Sequence, residues 1–446
     1  MRLSTLLLSS AALVASGTVG FAADLPSKKA APVEYVRVCS QFGTGFFFIP
    51  GSDTCIRVSG RIRADYIANE QFLRTDNTVS FRARGYIGLD SFTATDWGPV
   101  RATTRIFVTR DTAGDSVRVN NNGVTLDWAF IQFAGITAGK AAVSFFDFAP
   151  QGGVSLNGGG NLGRGSDEGD VNVLAYTATI GGGFSATIAL EDTAERRSLI
   201  GLGYANVNAL GQYVNSTTVG GQAMPDVVGR LEYTGSWGIA ALTGAIHQSR
   251  VGNGSTAGSV NLVPVANTIK DTEYGFAIQG GVKVNLPMLA PGDAIFLQAA
   301  YADGANSYTG WSPAGVGSLG NAATTVTANS WFVPSSDVVF DANGNAKTTK
   351  SWSIAGGFLH FWAPTVRQAV TASYGAIDHF GSLYDAAAFT ATTNVIWTPV
   401  RGLDIGAEVG YSRVVEKPNF WATIPLAGLG QSSDAWFGRL RFQRDF

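Results

Sequence analysis

Beyond residue 23, this 446-residue chain has no apolar run near the roughly 18 residues that a membrane-crossing helix needs. Charge is scarce as well. Only 14% of residues are charged, and 31 basic against 33 acidic residues leave a formal net charge of −2. Without a basic excess, no nucleic-acid partner is expected. Catalytic and metal motifs are thin. His247, His360 and His379 are scattered, with no metal-ligand spacing. No Gly-x-Ser-x-Gly elbow occurs. Gly158-x-Gly160-x-x-Gly163 has dinucleotide spacing but lacks the strand and helix that give it meaning. Asp341, Asn343 and Asn345 begin like a calcium loop, yet glycine falls at 344 and the terminal glutamate is missing. No catalytic residue, cofactor or metal ion is therefore expected.

Some features are present in plain form. Arg2, the apolar stretch Leu3 to Val14 and the small residues Gly20 and Ala22 make a secretory signal. Residues 1–22 are expected to be removed, with cleavage after Ala22 or Ala23. An exported chain meets an oxidising compartment, so Cys39 and Cys55 are expected to form a disulfide. Two cysteines with no histidine nearby would make a poor metal site. Closing a loop of about 15 residues is worth roughly 3 kcal/mol in the chain-entropy picture.

The remaining pattern is alternation. From Ile56 to Ala68 the chain reads IRVSGRIRADYIA. Arg57, Arg61, Arg63 and Asp65 share one parity, and Val58, Ile62, Ala64 and Tyr66 share the other. A period of two is a strand with one polar and one apolar face. Val79 to Leu89 repeats it with Arg82, Arg84 and Tyr86. Val100 to Arg110 repeats it with Arg101 and Arg105. The final stretch sets Arg439, Arg441, Gln443 and Asp445 against Trp436, Leu440, Phe442 and Phe446. Similar segments fall near 57–67, 79–90, 99–110, 124–134, 136–144, 171–180, 184–191, 226–234, 238–248, 271–285, 294–302, 351–362, 365–375, 390–398, 402–413 and 435–446. Residues 198–206 could supply one more strand but are assigned to a long loop, because an odd count would separate the two ends.

Tight turns at Gly181-Gly182-Gly183, Gly235 to Gly238, Ala363-Pro364 and Thr398 to Gly402 alternate with long connections. The long ones lie near 111–123, 145–170, 192–225, 249–270, 303–350 and 414–434. One short-turn rim and one long-loop rim suit an outer-membrane barrel. The fold expected is thus all-β: a transmembrane antiparallel β-barrel of sixteen strands over residues 57–446, preceded by a periplasmic segment over 23–56. The C-terminal strand ends on Phe446, which resembles the signal read by the barrel assembly machinery.

Closure would pair the last strand with the first. Arg57, Arg61, Arg63, Arg82, Arg84, Arg101, Arg105, Arg439 and Arg441 would then form one sector. A charge facing lipid at the bilayer midplane costs about 2–4 kcal/mol, so this sector should face a watery lumen. A sixteen-stranded barrel is too wide for side chains to fill. The connection after the fifth strand, about 145–170, is expected to fold inward as a constriction. It carries Asp147, Asp167, Glu168 and Asp170, acids that could oppose the basic wall.

The stretch EYVRVCSQFGTGFFFIPGSDTCIRVSGRIRADY, Glu34 to Tyr66, resembles the N-terminal signature of the alphaproteobacterial (Rhizobiales-type) outer-membrane porin family. The shared features are valine-arginine-valine-cysteine, the aromatic run before Ile49-Pro50-Gly51, Asp53-Thr54-Cys55 and arginine-valine-serine-glycine. The resemblance implies a sixteen-stranded trimeric porin with an inward third loop and passive diffusion of small hydrophilic solutes and ions. Its paired cysteines map onto Cys39 and Cys55. The expected partners are outer-membrane lipid and lipopolysaccharide, two further copies of the chain, small hydrophilic solutes and the assembly machinery. A substrate-specific channel and an outer-membrane barrel hydrolase are the alternatives.

Overall fold

The computed structural model describes residues 37–70, 77–112, 124–141, 144–148, 155–156, 171–197, 199–203, 220–251, 272–311, 336–340, 346–380, 385–416 and 432–446. The alternating segments are strands. In chain order they are β1 (Thr54–Asn69), β2 (Val79–Thr93), β3 (Val100–Asp111), β4 (Val124–Phe133), β5 (Ile136–Lys140), β6 (Asn172–Gly181), β7 (Phe184–Glu191) and β8 (Asp226–Gly235). Then follow β9 (Gly238–Arg250), β10 (Thr272–Asn285), β11 (Ala294–Asp303), β12 (Lys350–Ala363), β13 (Val366–Asp378), β14 (Ala386–Val400), β15 (Leu403–Glu416) and β16 (Ser432–Asp445). Each pairs antiparallel with its sequence neighbours. β16 pairs with β1, Arg61 opposite Asp445 and Asp65 opposite Arg441, so the sheet closes. The closed barrel of sixteen strands is the one the alternation predicts.

Two strand expectations are refined. Leu199–Gly203 is a strand, yet it stays out of the wall. It runs parallel to Ser336–Phe340, which pairs with Ala346–Thr348 in a separate three-stranded sheet. Two long-rim connections are thereby joined, and the barrel count stays even. β5 ends at Lys140, short of residue 144. Its continuation leaves the wall because Glu191 captures Ser144 and Phe145, as described below.

The turns explain the glycines at one rim. Gly181, Gly182 and Gly183 all have positive φ, a conformation that costs any residue with a Cβ. The three-glycine turn is what lets β6 reverse directly into β7. At closure, the Phe446 amide donates to the Gly60 carbonyl at 3.0 Å, and the Gly60 amide donates back at 2.9 Å. The Phe446 ring lies on Gly60 so closely that a Cβ there would come within 2.2 Å of it.

The outer face is apolar and uncovered. Val58, Ile62, Phe81, Ile87, Leu89, Ile131, Leu174, Ile188, Leu231, Leu242, Ile278 and Val370 are all exposed. A contiguous surface of this kind would aggregate in water, whereas it matches a lipid-facing band. Aromatic residues gather at both ends of the strands. Trp97, Trp237, Trp362 and Trp397 lie at the short-turn rim. The pairs Tyr66–Phe81, Trp352–Tyr374 and Tyr411–Trp436 lie at the other. Such rings favour the two membrane interfaces, with their bodies in lipid and their polar tips in water.

Ahead of β1, Cys39 and Cys55 are joined by a disulfide. Phe46 is buried with the two cysteines, and Phe42, Phe48 and Phe92 pack around them. The Phe42 ring stacks on Phe92 of β2 at 4.8 Å. Phe47 and Phe48 pair with Ile56 and Cys55, so the segment is sewn to the start of β1. The bridge joins residues 16 apart in the chain. Opening that loop should cost about 3 kcal/mol locally. The double variant Cys39→Ser, Cys55→Ser is therefore expected to expose 37–53 to limited proteolysis while the barrel survives. Equal protease resistance in the variant would show that the aromatic cluster alone holds the segment.

Candidate channel wall and inward loop

Many of the side chains opposite the lipid-facing set are polar, although Val173, Ala175, Val228, Ala245 and Ala277 on β6 to β10 form an apolar cluster with Phe146. Closure brings β15, β16, β1, β2, β3 and β4 side by side, and the predicted arginines line up across them. Most are matched by an acid on an adjacent strand. Arg57 and Arg101 share Asp90, at 2.8 and 3.0 Å, and Thr103 donates to the same carboxylate at 2.7 Å. Arg61 grips both oxygens of Asp445, at 2.6 and 3.2 Å. Arg82 grips both of Asp111, each at 2.7 Å. Arg441 grips both of Asp65, at 2.6 and 3.2 Å. Arg105 is paired with Asp127. Two-point pairing is the geometry the guanidinium fork favours, and it fixes direction as well as contact.

Three arginines stand apart. Arg439 is buried and donates to the Leu156 carbonyl at 2.9 Å. Arg84 donates to the Thr109 hydroxyl at 2.6 Å and the Tyr86 hydroxyl at 3.2 Å. Arg63 has its Nε 3.5 Å from Asp65, whose oxygens Arg441 already holds. Tyr86 sits among these groups. The guanidinium carbons of Arg61, Arg63, Arg84 and Arg105 lie 5.8, 5.9, 5.9 and 4.9 Å from its ring centre.

The third long-rim connection leaves β5 and turns inward. Its near end docks on β7 to β10. Ser144 Oγ donates to Glu191 at 2.8 Å, and the Phe145 amide donates to the same carboxylate at 2.8 Å. Glu191 is fully buried. Arg230 of β8 donates to the carbonyls of Phe145 and Asp147, at 3.2 and 2.8 Å. Thr243 of β9 donates to the Phe146 carbonyl at 2.9 Å. Phe148 packs over Gly281 of β10, where a Cβ would lie 2.3 Å from the ring.

A second point on the connection, Ser155 and Leu156, docks elsewhere. Ser155 Oγ and the Leu156 amide donate to Glu408 of β15, at 3.0 and 2.8 Å, and Asn394 of β14 donates to it at 3.0 Å. Leu156 also receives Arg439 of β16 through its carbonyl. The same connection is thus anchored on two separate sectors of the inner face, through Phe145 on Glu191 and through Leu156 on Glu408.

Of its acids, Asp147 is buried, and its carboxylate meets the Arg196 guanidinium at 3.1 Å. Arg196 belongs to the short helix Thr193–Arg196 and also stacks on the Tyr308 ring. Asp147 is therefore an anchor on the far side from the arginine sector. Asp167, Glu168 and Asp170 lie outside the described residues. The anchors Glu191, Arg196, Arg230, Thr243, Glu408 and Asn394 were not anticipated as loop contacts. A weak signal existed for Glu408, an acid on the polar parity of its strand.

Residues 24–435 match the Porin subfamily. The porin Omp2b of Brucella suis is 26% identical over the full length of both chains. A second Brucella suis Omp2b sequence, from biovar 1, is 30% identical over 329 residues, covering 68% of this chain and 85% of that one. Among solved structures, the outer-membrane channel DcaP of Acinetobacter baumannii superposes with a TM-score of 0.61 at 15% identity, covering 90% of this chain and 99% of that one. A loop-deleted OmpT of Vibrio cholerae superposes with a TM-score of 0.51 at 9% identity, covering 89% and 100%. Those two share the fold. The family match spans nearly the whole barrel, and the chain belongs to the Porin subfamily as a diffusion porin of the bacterial outer membrane.

Proposed function

We propose that the barrel is a general diffusion channel, open to small hydrophilic solutes and ions and narrowed by its third loop. The observation that carries this reading is the loop's double docking, on Glu191 and Arg230 at one end and Glu408 and Arg439 at the other. A loop held across the interior leaves passage only beside it, and the arginine sector lines one side of that passage. In this reading Arg57, Arg61, Arg63, Arg82, Arg84, Arg101, Arg105 and Arg441 line the pore. Arg439 reaches it only through the loop it holds. Asp147 is a structural anchor of the loop. The field of the arginine sector would act on charged and dipolar solutes without driving them.

The rest of the biology follows from the same reading. Residues 1–22 are the export signal, and residues 23–56 remain periplasmic. Phe446 is the residue the assembly machinery reads. The aromatic rims meet phospholipid and lipopolysaccharide, and three copies associate. No catalytic step is assigned. His247 bonds Asp226 and His360 bonds Asp293, which supports structural roles for both rings.

Purified protein in planar bilayers tests this directly. A salt gradient gives a reversal potential, and single openings give conductance. The triple variant Arg61→Gln, Arg63→Gln, Arg84→Gln should shift the reversal potential toward cations. An unchanged potential would remove these residues from the conduction path. Glu408→Ala deletes the acceptor for Ser155, Leu156 and Asn394. Hydrogen bonds to a charged group contribute about 1.5–3 kcal/mol each. The far end of the loop should loosen, raising both conductance and open-channel noise. A variant with wild-type conductance and noise would mean that the loop does not set the bore.

A further inference from the structure

Arg63 and Arg84 stand directly opposite each other in the β1–β2 register. Like charges in directly opposed positions repel across about 5 Å, and a sheet normally avoids them. Elsewhere in the sector an acid relieves the repulsion, as Asp90 does for Arg57 and Arg101. Here, among the described residues, the pair has no acid to itself, and the carboxylate nearest Arg63, Asp65 at 3.5 Å, is shared. Asp65 gives both oxygens to Arg441, and Arg63 Nε makes no hydrogen bond to it. Arg84 is oriented by two neutral hydroxyls, Thr109 and Tyr86. Around this point three guanidinium groups share one carboxylate.

Tyr86 adds a donor. Its hydroxyl oxygen accepts from Arg84, which leaves the phenolic proton to be given away. The side chain of Arg63 is 14% exposed, and Arg84 is half-buried, so both remain open to a small solute while partly shielded from water. Partial shielding strengthens attraction between opposite charges. Two guanidinium forks and a hydroxyl, with no acid of their own among the described residues beyond the shared Asp65, match an acceptor that carries several oxygens and negative charge.

We propose that Arg63, Arg84 and the Tyr86 hydroxyl form a binding subsite for small oxyanions of the phosphate or carboxylate class, a proposal that rests on the diffusion-channel reading above. The bound anion takes the place of the absent carboxylate between the two opposed arginines. An anion held there occupies part of the passage. Flux of such solutes then saturates, and the occupied subsite slows chloride.

The probe is inorganic phosphate added to chloride-conducting channels at constant ionic strength. Phosphate should reduce the chloride current along a saturating curve. Arg84→Gln and, separately, Arg63→Gln should each raise the half-blocking phosphate concentration by roughly tenfold or more, the loss expected for a hydrogen bond to a charged group. Arg84→Lys keeps the charge but loses the fork, so it too should weaken the block. Arg413→Gln, exposed on the outer face of β15, should leave the block within about twofold. Circular dichroism of each variant checks that the β-sheet is intact. A wild-type current that falls only linearly with phosphate would overturn the subsite while leaving the channel reading in place. So would an equal loss of block in Arg413→Gln and Arg84→Gln. Wild-type protein that passes no current would instead overturn the channel reading itself.

Discussion

The constraint on which this structure depends is that no backbone hydrogen-bonding group can go unpaired in lipid. Helices meet it locally, but beyond residue 23 this chain has no apolar run long enough for one. The remaining solution is a sheet without edges. β16 lies against β1, and the terminal Phe446 exchanges two backbone hydrogen bonds with Gly60. Every strand then has two neighbours, and the two faces of the sheet become the inside and outside of a closed wall. The alternation in the sequence follows from that division, because successive side chains must belong to different solvents.

Closure also decides which charges meet. Asp445 and Arg61 lie at opposite ends of the chain, yet they form a two-point pair because the seam runs between them. Asp65 and Arg441 do the same four residues along the seam. These pairs bridge the seam with charged side chains, in addition to the backbone ladder and the packing of Phe446 on Gly60 and Tyr66 on Phe442. The inward loop uses a similar device. Glu191 and Glu408 each collect a serine hydroxyl and a backbone amide from it, contacts that fix direction as well as position. Aromatic packing complements this where glycine permits, as with Phe148 against Gly281.

Most of the wall was legible in the sequence, and the reason is physical. A period of two is a local property, readable from neighbouring residues, and the parity of Arg57, Arg61, Arg63 and Asp65 is preserved in the structure. Closure of the last strand on the first follows from an even count. The loop was legible only as a position in the order. Its contacts join Ser144 to Glu191 and Ser155 to Glu408, pairs remote in sequence and with no local signature. Asp147 illustrates the difference. Its charge suggested a place facing the arginines, but its position beside Arg196 follows from the docking of a helix in another connection. The strand Leu199–Gly203 is similar, with an apolar run that finds its partner in Ser336–Phe340 rather than in the wall.

Stability and selectivity draw on the same groups in opposite ways. An acid that pairs an arginine on the inner face holds two strands together and cancels the field that the arginine would project. In the proposed channel Arg82 and Arg105, each with an acid of its own, are therefore weak sources of potential for a passing ion, although composition counts them as full charges. The field of the sector then comes from its imbalance, at the point where Arg63 and Arg84 face each other with Asp65 already bound to Arg441, and again where Arg57 and Arg101 share Asp90. A porin with a net charge near zero can still present a strongly positive point. What matters to the solute is the distribution of partners, since the sum of charges is fixed by composition and the distribution by strand register.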